Sequence, residues 1–397
     1  MGEIREAIYL VKPLRTPIGR FGGALSGLSA TELGTHASRA VLESSEVPLE
    51  KIDLVIFGNA RQAGVGPNPA RQITIRSGLS ESVPAWTVNQ ACGSGMRAII
   101  DAVDEIRLGN ANLVLAGGVE SMSNTPYLLP RARWGYRMGD GEVIDGMVRD
   151  GFFCPVADEM MGSTAETLAD RYNITRGEQD ELAVESQKKA EAAWNSGAFS
   201  REVVPVRIQG KKGEIIVEQD EHPRFDVTVE GMAKLPPVFR EGGTVHAGNS
   251  SGITDAGAAM LVASESAVKE LGLEPIARVR AYAQAAVDPK IMGIGPVPAT
   301  RRLLEETGLT LADIDLIELN EAFAAQVIAC ERELGFDRAR LNVHGGAIAL
   351  GHPIGCTGAR IVTTLVHAMA TRKSRTGLAT LCISGGMGLS MLFEGSV

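Results

Sequence analysis

The chain carries its own pattern twice. The stretch IDLVIFGN at 52–59 returns as IDLIELNE at 314–321, each after a polar lead-in. VNQACGSGMRAI in the first half is answered by NVHGGAIALGHPIGCTGARIV in the second, each read as a short strand, a glycine-rich turn and an amphipathic helix. NANLVLAGGVESMS is then answered by GLATLCISGGMGLSMLF, each read as a strand with a Gly-Gly turn. A repeat of this length excludes a solenoid of short units and points to a duplicated α/β unit. DLVIF and LVLA are apolar throughout, as strands covered on both faces are. Ile99, Ala102, Val103 and Ile106 recur at helical spacing before Gly109. Such alternation predicts mixed or parallel sheets covered by helices.

The region from about 120 to 248 breaks the pattern. It holds a helical stretch from TAETLADRY to AEAAWNSG, in which Thr175 and Glu178 form a capping box, and a polar, turn-rich remainder. It reads as an insertion, and long insertions into compact folds serve function or oligomerisation.

Two cysteines stand where the repeat places glycine-rich turns. Cys92 follows a strand and precedes a helix; Cys382 ends the strand before SGG. A thiol just before a helix has the helix dipole and free N–H groups to lower its pKa, so Cys92 is expected to be an activated nucleophile. His352, in GHPIG, falls in register with the Cys92 turn, and glycines leave its imidazole room to face a cavity. Two thiols and a histidine suit covalent catalysis with a separate proton transfer. Asn320 follows a strand; it is either a plain helix cap or a side chain that holds a water or polarises an oxyanion. Cys330 and Cys356 read as buried small hydrophobes, and Cys154 equally as that.

Other classes are excluded. A net charge of −9 over 397 residues argues against a nucleic-acid binder. Five widely spaced cysteines make neither a disulfide framework nor a zinc site. No dinucleotide fingerprint and no phosphate-binding Gly-Lys-Ser/Thr occurs. The start MGEIREAIYL lacks a signal-peptide stretch, its Glu6 does not fit a myristoylation site, FEGSV is no peroxisomal signal, and no apolar run spans a bilayer; cytoplasm is the expected compartment.

VNQACGSGMRAI, NEAFAAQ, GGAIALGHPIGCTGAR and CISGGMG resemble the signature blocks of the thiolases. GNARQAGVGPNPARQ, GGVESMSN and GTVHAGNSSGITDAGAA resemble further blocks in the same order, so the likeness covers essentially the whole chain. NQACGSG and NEAFAAQ are similar to the biosynthetic branch; HPIGCTGAR leans to the degradative one. The resemblance implies a thiolase fold: duplicated βαβαβαββ halves in α-β-α-β-α layers with an inserted loop domain. The halves would be 1–119, completed by about 249–272, and 273–397, with the loop domain at 120–248. It implies an acyl-CoA C-acyltransferase with CoA thioesters as substrates, no metal or redox cofactor, and a homodimer or homotetramer.

By the same resemblance Cys92 is the acyl-accepting nucleophile and His352 the base that activates it and later faces the thioester oxyanion. Cys382 is the acid/base at the α-carbon, and Asn320 holds the water of one oxyanion hole. The backbone N–H groups of Cys92 and Ser384 form the other hole. Arg224, Ser251, Phe323 and Met161 contact coenzyme A or the acyl group. The pattern departs at Ser384, commonly Gly, and at Met160-Met161-Gly162, usually His-Met-Gly in the biosynthetic branch. The alternatives are a degradative thiolase for longer or aromatic-pathway 3-ketoacyl-CoAs, and a non-catalytic thiolase-like lipid-binding or scaffold protein.

Overall fold

The computed structural model describes residues 7–210 and 213–395. The start at Met1-Gly2, Glu6 and the last two residues of FEGSV lie outside them.

The first half runs β1 (Ile8–Arg15), α1 (Ala30–Ser45), β2 (Leu54–Asn59), α2 (Pro69–Arg76), β3 (Ala85–Val88), α3 (Ser94–Arg107) and β4 (Leu113–Ser121). A long excursion containing α4 (Met161–Arg171) and α5 (Arg176–Asn195) precedes its last strand, β5 (Thr254–Ser264). Thr175 caps α5 through the capping box read in the sequence. The second half runs β6 (Pro275–Ala286), α6 (Pro296–Thr307), β7 (Leu316–Leu319), α7 (Ala324–Leu334), α8 (Ile354–Arg372), β8 (Thr376–Ile383) and β9 (Met387–Gly395).

The strands join in the order β7-β8-β9-β6-β1-β5-β4-β2-β3. Read outward from the β1–β6 junction, the halves match. In the first, β5 is antiparallel to β1 and β4, and β2 is parallel to β4 and β3. In the second, β9 is antiparallel to β6 and β8, and β7 is parallel to β8. The matched aspartates make the same hydrogen bonds. Asp53 accepts from the N–H groups of Asn112 (2.7 Å) and Leu113 (3.0 Å), and Asp315 from those of Arg375 (2.7 Å) and Thr376 (3.0 Å).

Side-chain alternation along the strands sorts the core into layers. Leu54 and Ile56 of β2 point to a central cluster shared with α3 and α8, while Val55 and Phe57 point to a second cluster shared with α1 and α2. On the other side Ala379 and Leu381 of β8 join the central cluster, and Leu378 packs with α6 and α7. The layers are therefore α1/α2, sheet, α3/α8, sheet, α6/α7, as expected of the duplication.

Two local expectations are corrected. Gly117-Gly118 is no turn: both residues lie inside β4, where a Cβ on Gly118 would meet the Gly355 carbonyl at 2.5 Å and the Gly95 Cα at 3.0 Å. The short strand expected before His352 is reduced to one bridge, Leu341 to Ile317. Asn342 stops it: at φ 43° its side chain bonds both Leu319 N–H and Leu319 C=O, each at 2.9 Å, so an amide group replaces the ladder.

The two central helices approach backbone to backbone. A Cβ on Gly95 of α3 would lie 2.8 Å from the Ala359 nitrogen of α8, and one on Gly358 of α8 would overlap the Met96 nitrogen. On intrinsic helix propensity Gly358→Ala gains up to about 1 kcal/mol. The clash with backbone costs about 1–3 kcal/mol. We therefore expect Gly358→Ala to lower the denaturant midpoint, checked by urea unfolding followed by circular dichroism; a raised midpoint would mean that the helices part readily.

Candidate active site

Cys92 sits in the tight turn between β3 and α3. Ala91, just before it, has φ 46°, costly for a residue with a Cβ. The turn is held by hydrogen bonds: Asn89 Oδ1 accepts from Ala91 N–H (3.0 Å), and the Ala91 carbonyl accepts from Ser94 Oγ (2.7 Å). The strained turn presents the thiol to a cleft of about 270 Å³ lined by Arg61, Arg149, Phe153, Ile354 and Ser384. Cys92 is partly exposed, whereas the other four cysteines are buried.

The expected drop in the Cys92 pKa is not found. Burial of the thiol has the largest influence and pushes its pKa up, opposed by the Ser384 backbone N–H and by the Arg61 charge. Burial outweighs the helix start, whose first donor, Ser94 N–H, is spent on the Ala91 carbonyl at 3.0 Å, as the N-cap Gly93 N–H is on the Gln90 carbonyl at 2.9 Å.

Ser384 follows β8 and lines the same cleft. The left-handed positions of this turn are Gly385 and Gly386, both at φ 85°, so the Ser384 Cβ adds no backbone strain. Cys382, at the end of β8, is buried; its thiol is pushed well up by burial and then by the nearby Cys92. It packs with Met161, Cys154, Ala157, Met292 and Ala322, with Phe323 against them. The structure thus brings Met161 and Phe323 to Cys382, and adds Met292, which sequence reasoning missed. Ser251 joins them through its N–H on the Ala322 carbonyl at 3.0 Å. Arg224 stands apart: it is exposed and anchored by its backbone N–H on Gln187 Oε1 at 2.8 Å.

His352 is buried on the loop entering α8, two residues before Ile354 of the cleft wall. Its backbone N–H bonds the Gly252 carbonyl at 2.9 Å. Its Nδ1 lies 2.6 Å from Thr357 Oγ1, and Thr357 donates its hydroxyl proton to the Pro353 carbonyl at 3.0 Å. A hydroxyl has a single proton, so Nδ1 must carry the one shared with Thr357. That leaves Nε2 as a free acceptor. Burial, then the charges of Arg360 and Arg61, lower the His352 pKa to about 3, so the ring is neutral near pH 7. The neutral ring presents Nε2 as an acceptor of low proton affinity, so a proton taken there has to be held by negative charge formed beside it in the reaction.

Asn320 does not cap a helix. α7 begins at Ala324 after an N-cap Phe323 with no side-chain bond. The Asn320 side chain is fully buried, and neither its oxygen nor its nitrogen has a protein partner. A buried amide in that position has both a donor and an acceptor to offer a small polar group.

Two carboxylates that sequence reasoning passed over hold these loops. Glu120, at the end of β4, accepts from Asn59 Nδ2 (2.8 Å), Arg61 N–H (3.1 Å) and Gly355 N–H (2.9 Å), joining β2 to the start of α8. Glu321 accepts from Ser186 Oγ (2.7 Å), Asn342 Nδ2 (2.8 Å) and Ile348 N–H (3.1 Å), tying α5 to the His352 loop. Burial pushes the pKa of both upward. Their signal in the sequence is an acidic residue at the end of an otherwise apolar strand.

Residues 8–266 match the thiolase N-terminal domain and residues 273–395 the thiolase C-terminal domain. The chain belongs to the thiolase family. It is 51% identical over 386 residues to an acetyl-CoA acetyltransferase of Escherichia coli (strain K12), covering 97% of this chain and 98% of that protein. It is 50% identical over 391 residues to one of Syntrophomonas wolfei, covering 98% of each. The crystal structure of the Bacillus anthracis acetyl-CoA acetyltransferase superposes with a TM-score of 0.97 at 43% identity, over all of both chains. Human mitochondrial 3-ketoacyl-CoA thiolase gives 0.97 at 40%, over 99% of this chain and 100% of that one. The thiolase fold expected from the sequence is the fold observed.

Thr357 is the one residue of this thiolase that sets the tautomer of His352. Thr357→Val keeps the shape and leaves Nδ1–H buried without an acceptor. We expect kcat for acyl transfer to fall by about tenfold or more with KM within about twofold, and Thr357→Ser to stay near wild type. Steady-state kinetics on the three proteins checks this; an unchanged kcat in Thr357→Val would mean that the hydroxyl does not govern the ring.

Proposed function

We propose that this thiolase is an acetyl-CoA C-acetyltransferase, condensing two acetyl-CoA to acetoacetyl-CoA and CoA or running the reverse thiolysis through acyl-Cys92. The observation that carries the reading is the pair of thiols, Cys92 in the cleft and Cys382 near enough for Cys92 to raise its pKa, with a neutral histidine two residues before Ile354 of the cleft wall. Relatives about half identical over nearly the full chain carry the name of that activity.

The reaction balances with these groups. Cys92 attacks the thioester carbonyl while His352 Nε2 takes its proton. Cys382, a neutral thiol at rest because burial disfavours its charge, protonates the departing CoA sulfur. The Cys382 thiolate left behind is a strong base for the same reason, and takes the α-proton of the second acetyl-CoA. The resulting enolate attacks the acyl-Cys92 carbonyl, and the His352 imidazolium returns its proton to the released Cys92 thiolate. Asn320, through a held water, and the imidazolium stabilise the enolate oxygen; the Cys92 and Ser384 N–H groups stabilise the tetrahedral oxyanion. Arg224 meets the nucleotide end of CoA, Ser251 the pantetheine arm, and Met161 and Phe323 the acyl pocket, all carried by the loop domain at 120–248 and the two halves, 1–119 with 249–272, and 273–397.

A second reading, a degradative enzyme for longer 3-ketoacyl-CoAs, is favoured by one observation. The wall beside Cys382 is sulfur and hydrocarbon, with Met160 where a histidine is usual. Rates of thiolysis for acetoacetyl-CoA against a longer 3-ketoacyl-CoA separate the two. The assembly is a homodimer or homotetramer, supported by β3, whose outer edge is unpaired among the described residues. A cytoplasmic location goes with this reading; among the described residues no helix is long and apolar enough to cross a membrane.

Three variants test the roles. Cys92→Ser is expected to give no acetyl adduct by intact mass after incubation with acetyl-CoA; an adduct as abundant as in wild type removes Cys92 from the nucleophile role and opens the non-catalytic alternative. Cys382→Ser is expected to keep the adduct and lose α-proton exchange with solvent, since a serine hydroxyl is a poor base near neutral pH. Joint loss of both would place Cys382 in the acylation step. Arg224→Ala is expected to raise KM for CoA several-fold with kcat nearly unchanged, the pattern of lost uniform binding. Initial rates of thiolysis at varied CoA check it, and an unaltered KM would leave Arg224 outside the site.

A further inference from the structure

The cleft has a cation that the roles above do not use. Arg61 follows β2 in GNARQAG, is 6% exposed, and lines the cleft with Cys92. Its backbone is pinned by its N–H on Glu120. Its guanidinium is enclosed: the Phe152 ring lies 5.5 Å away on one side, and Gly151 is so close that a Cβ there would overlap the guanidinium nitrogens. Nη1 reaches the Asp150 carbonyl at 3.4 Å, while Nε and Nη2 are buried with no partner.

No carboxylate forms an ion pair with it among the described residues; the buried Glu120 feels its charge but makes no hydrogen bond to the guanidinium. The Asp150 side chain pairs with Arg149 at 3.6 Å, and the Glu120 oxygens are taken by backbone N–H groups and by Asn59. A buried charge with no hydrogen-bonded counter-charge is costly, and truncating it to a hydrocarbon would be the cheaper solution for stability alone. Its retention at the wall of a cleft beside a nucleophile points to an anion that forms there and is absent at rest.

We propose that Arg61 is the electrostatic partner of Cys92, a buried cation reserved for the thiolate that forms and is released in acyl transfer. The proposal rests on the reading of Cys92 as nucleophile. The direction of the field agrees: Arg61 opposes the upward push of burial on the Cys92 thiol, and it disfavours a second cation on His352. The other charged and titratable groups around Cys92 are Arg149 and Asp150 at the cleft wall, Glu120 behind the turn, His352 and Cys382. Of these, Arg149 is exposed and pairs with Asp150, and Glu120 acts against the thiolate. Arg61 is thus the buried cation on the side of the thiolate.

The test is the pH dependence of Cys92 alkylation by the uncharged reagent iodoacetamide, from about pH 6 to about pH 10, read by peptide mass on the full chain. Cys92 is the one cysteine with exposed surface, so the reagent reports on it. In Arg61→Met the midpoint is expected to rise by about one pH unit, a tenfold loss of thiolate below it. Acetylation by acetyl-CoA should slow about tenfold at neutral pH and recover toward wild type in alkali. Arg61→Lys keeps a cation and should hold the midpoint within a few tenths of a unit. If Arg61→Met does not fold, Gly151→Ala is read instead: it alters the helical turn Val148–Phe152 in the cleft wall and drives the guanidinium from its place, with the same expected rise. An unchanged midpoint in the folded variant, with or without slower acetylation, overturns the proposal and leaves Arg61 a shaping residue. An acetyl group found on a cysteine other than Cys92 would instead overturn the nucleophile assignment, and the alkylation midpoint would still measure the Arg61 field.

Discussion

The structure depends on the contact between α3 and α8. Each helix opens with a functional loop, Cys92 before α3 and His352 before α8, and each belongs to a different half of the duplicated chain. The loops meet only because the helices pack without side chains between them, at Gly95, Gly355 and Gly358, with Gly118 of β4 beneath. Glu120 then bonds the end of β2 and the first turn of α8 at once. A larger residue at Gly95 or Gly358 would separate the helices, and Cys92 and His352 would move apart with them.

The electrostatics of the site are those of a place hidden from water. Burial pushes both thiols up and the His352 imidazole down, so the resting site holds neutral groups. In the proposed reaction, charges appear in transit on sulfur, imidazole and enolate oxygen, and the Cys92 and Ser384 N–H groups and the Arg61 cation are the groups proposed to meet them. Such a site requires no reorganisation of solvent when the charge forms. The helix-terminus mechanism expected for Cys92 is outweighed by burial, and Ser94 N–H, the first donor of α3, is spent on closing the strained turn at Ala91.

The excursion between β4 and β5 is tied to the site by polar contacts. Ser186 and Gln187 of α5 bond Glu321 and the Ile348 carbonyl, next to the His352 loop. His246 bonds Asp180 at 2.7 Å, which fastens the turn leading to Ser251 and Gly252, and the Gly252 carbonyl holds His352 N–H. Displacing α5 would therefore displace His352.

The sequence by itself determined the duplication, the covered strands, the α5 capping box and the two glycine-rich turns with their cysteines, because these are local patterns of period, cap and turn. The resemblance carried by its motifs named the family. Tertiary structure decided the rest. Glycines 117 and 118 read locally as a turn, yet lie inside a strand, where the Phe57 ring and the neighbouring strand fill the space beside Gly117 and the two helices that beside Gly118. The strand before His352 reads as a strand, yet Asn342 replaces its ladder with a side-chain amide. Thr357 and Arg61 carry no local signal, and Glu120 and Glu321 only that of an acid at the end of an apolar strand, because their roles are set by partners 5 to 235 positions away, as with Thr357 to His352 and Glu120 to Gly355. A thiol pKa depends on which donors are already engaged and how far water is excluded, and neither is a property of the residues beside it in the chain.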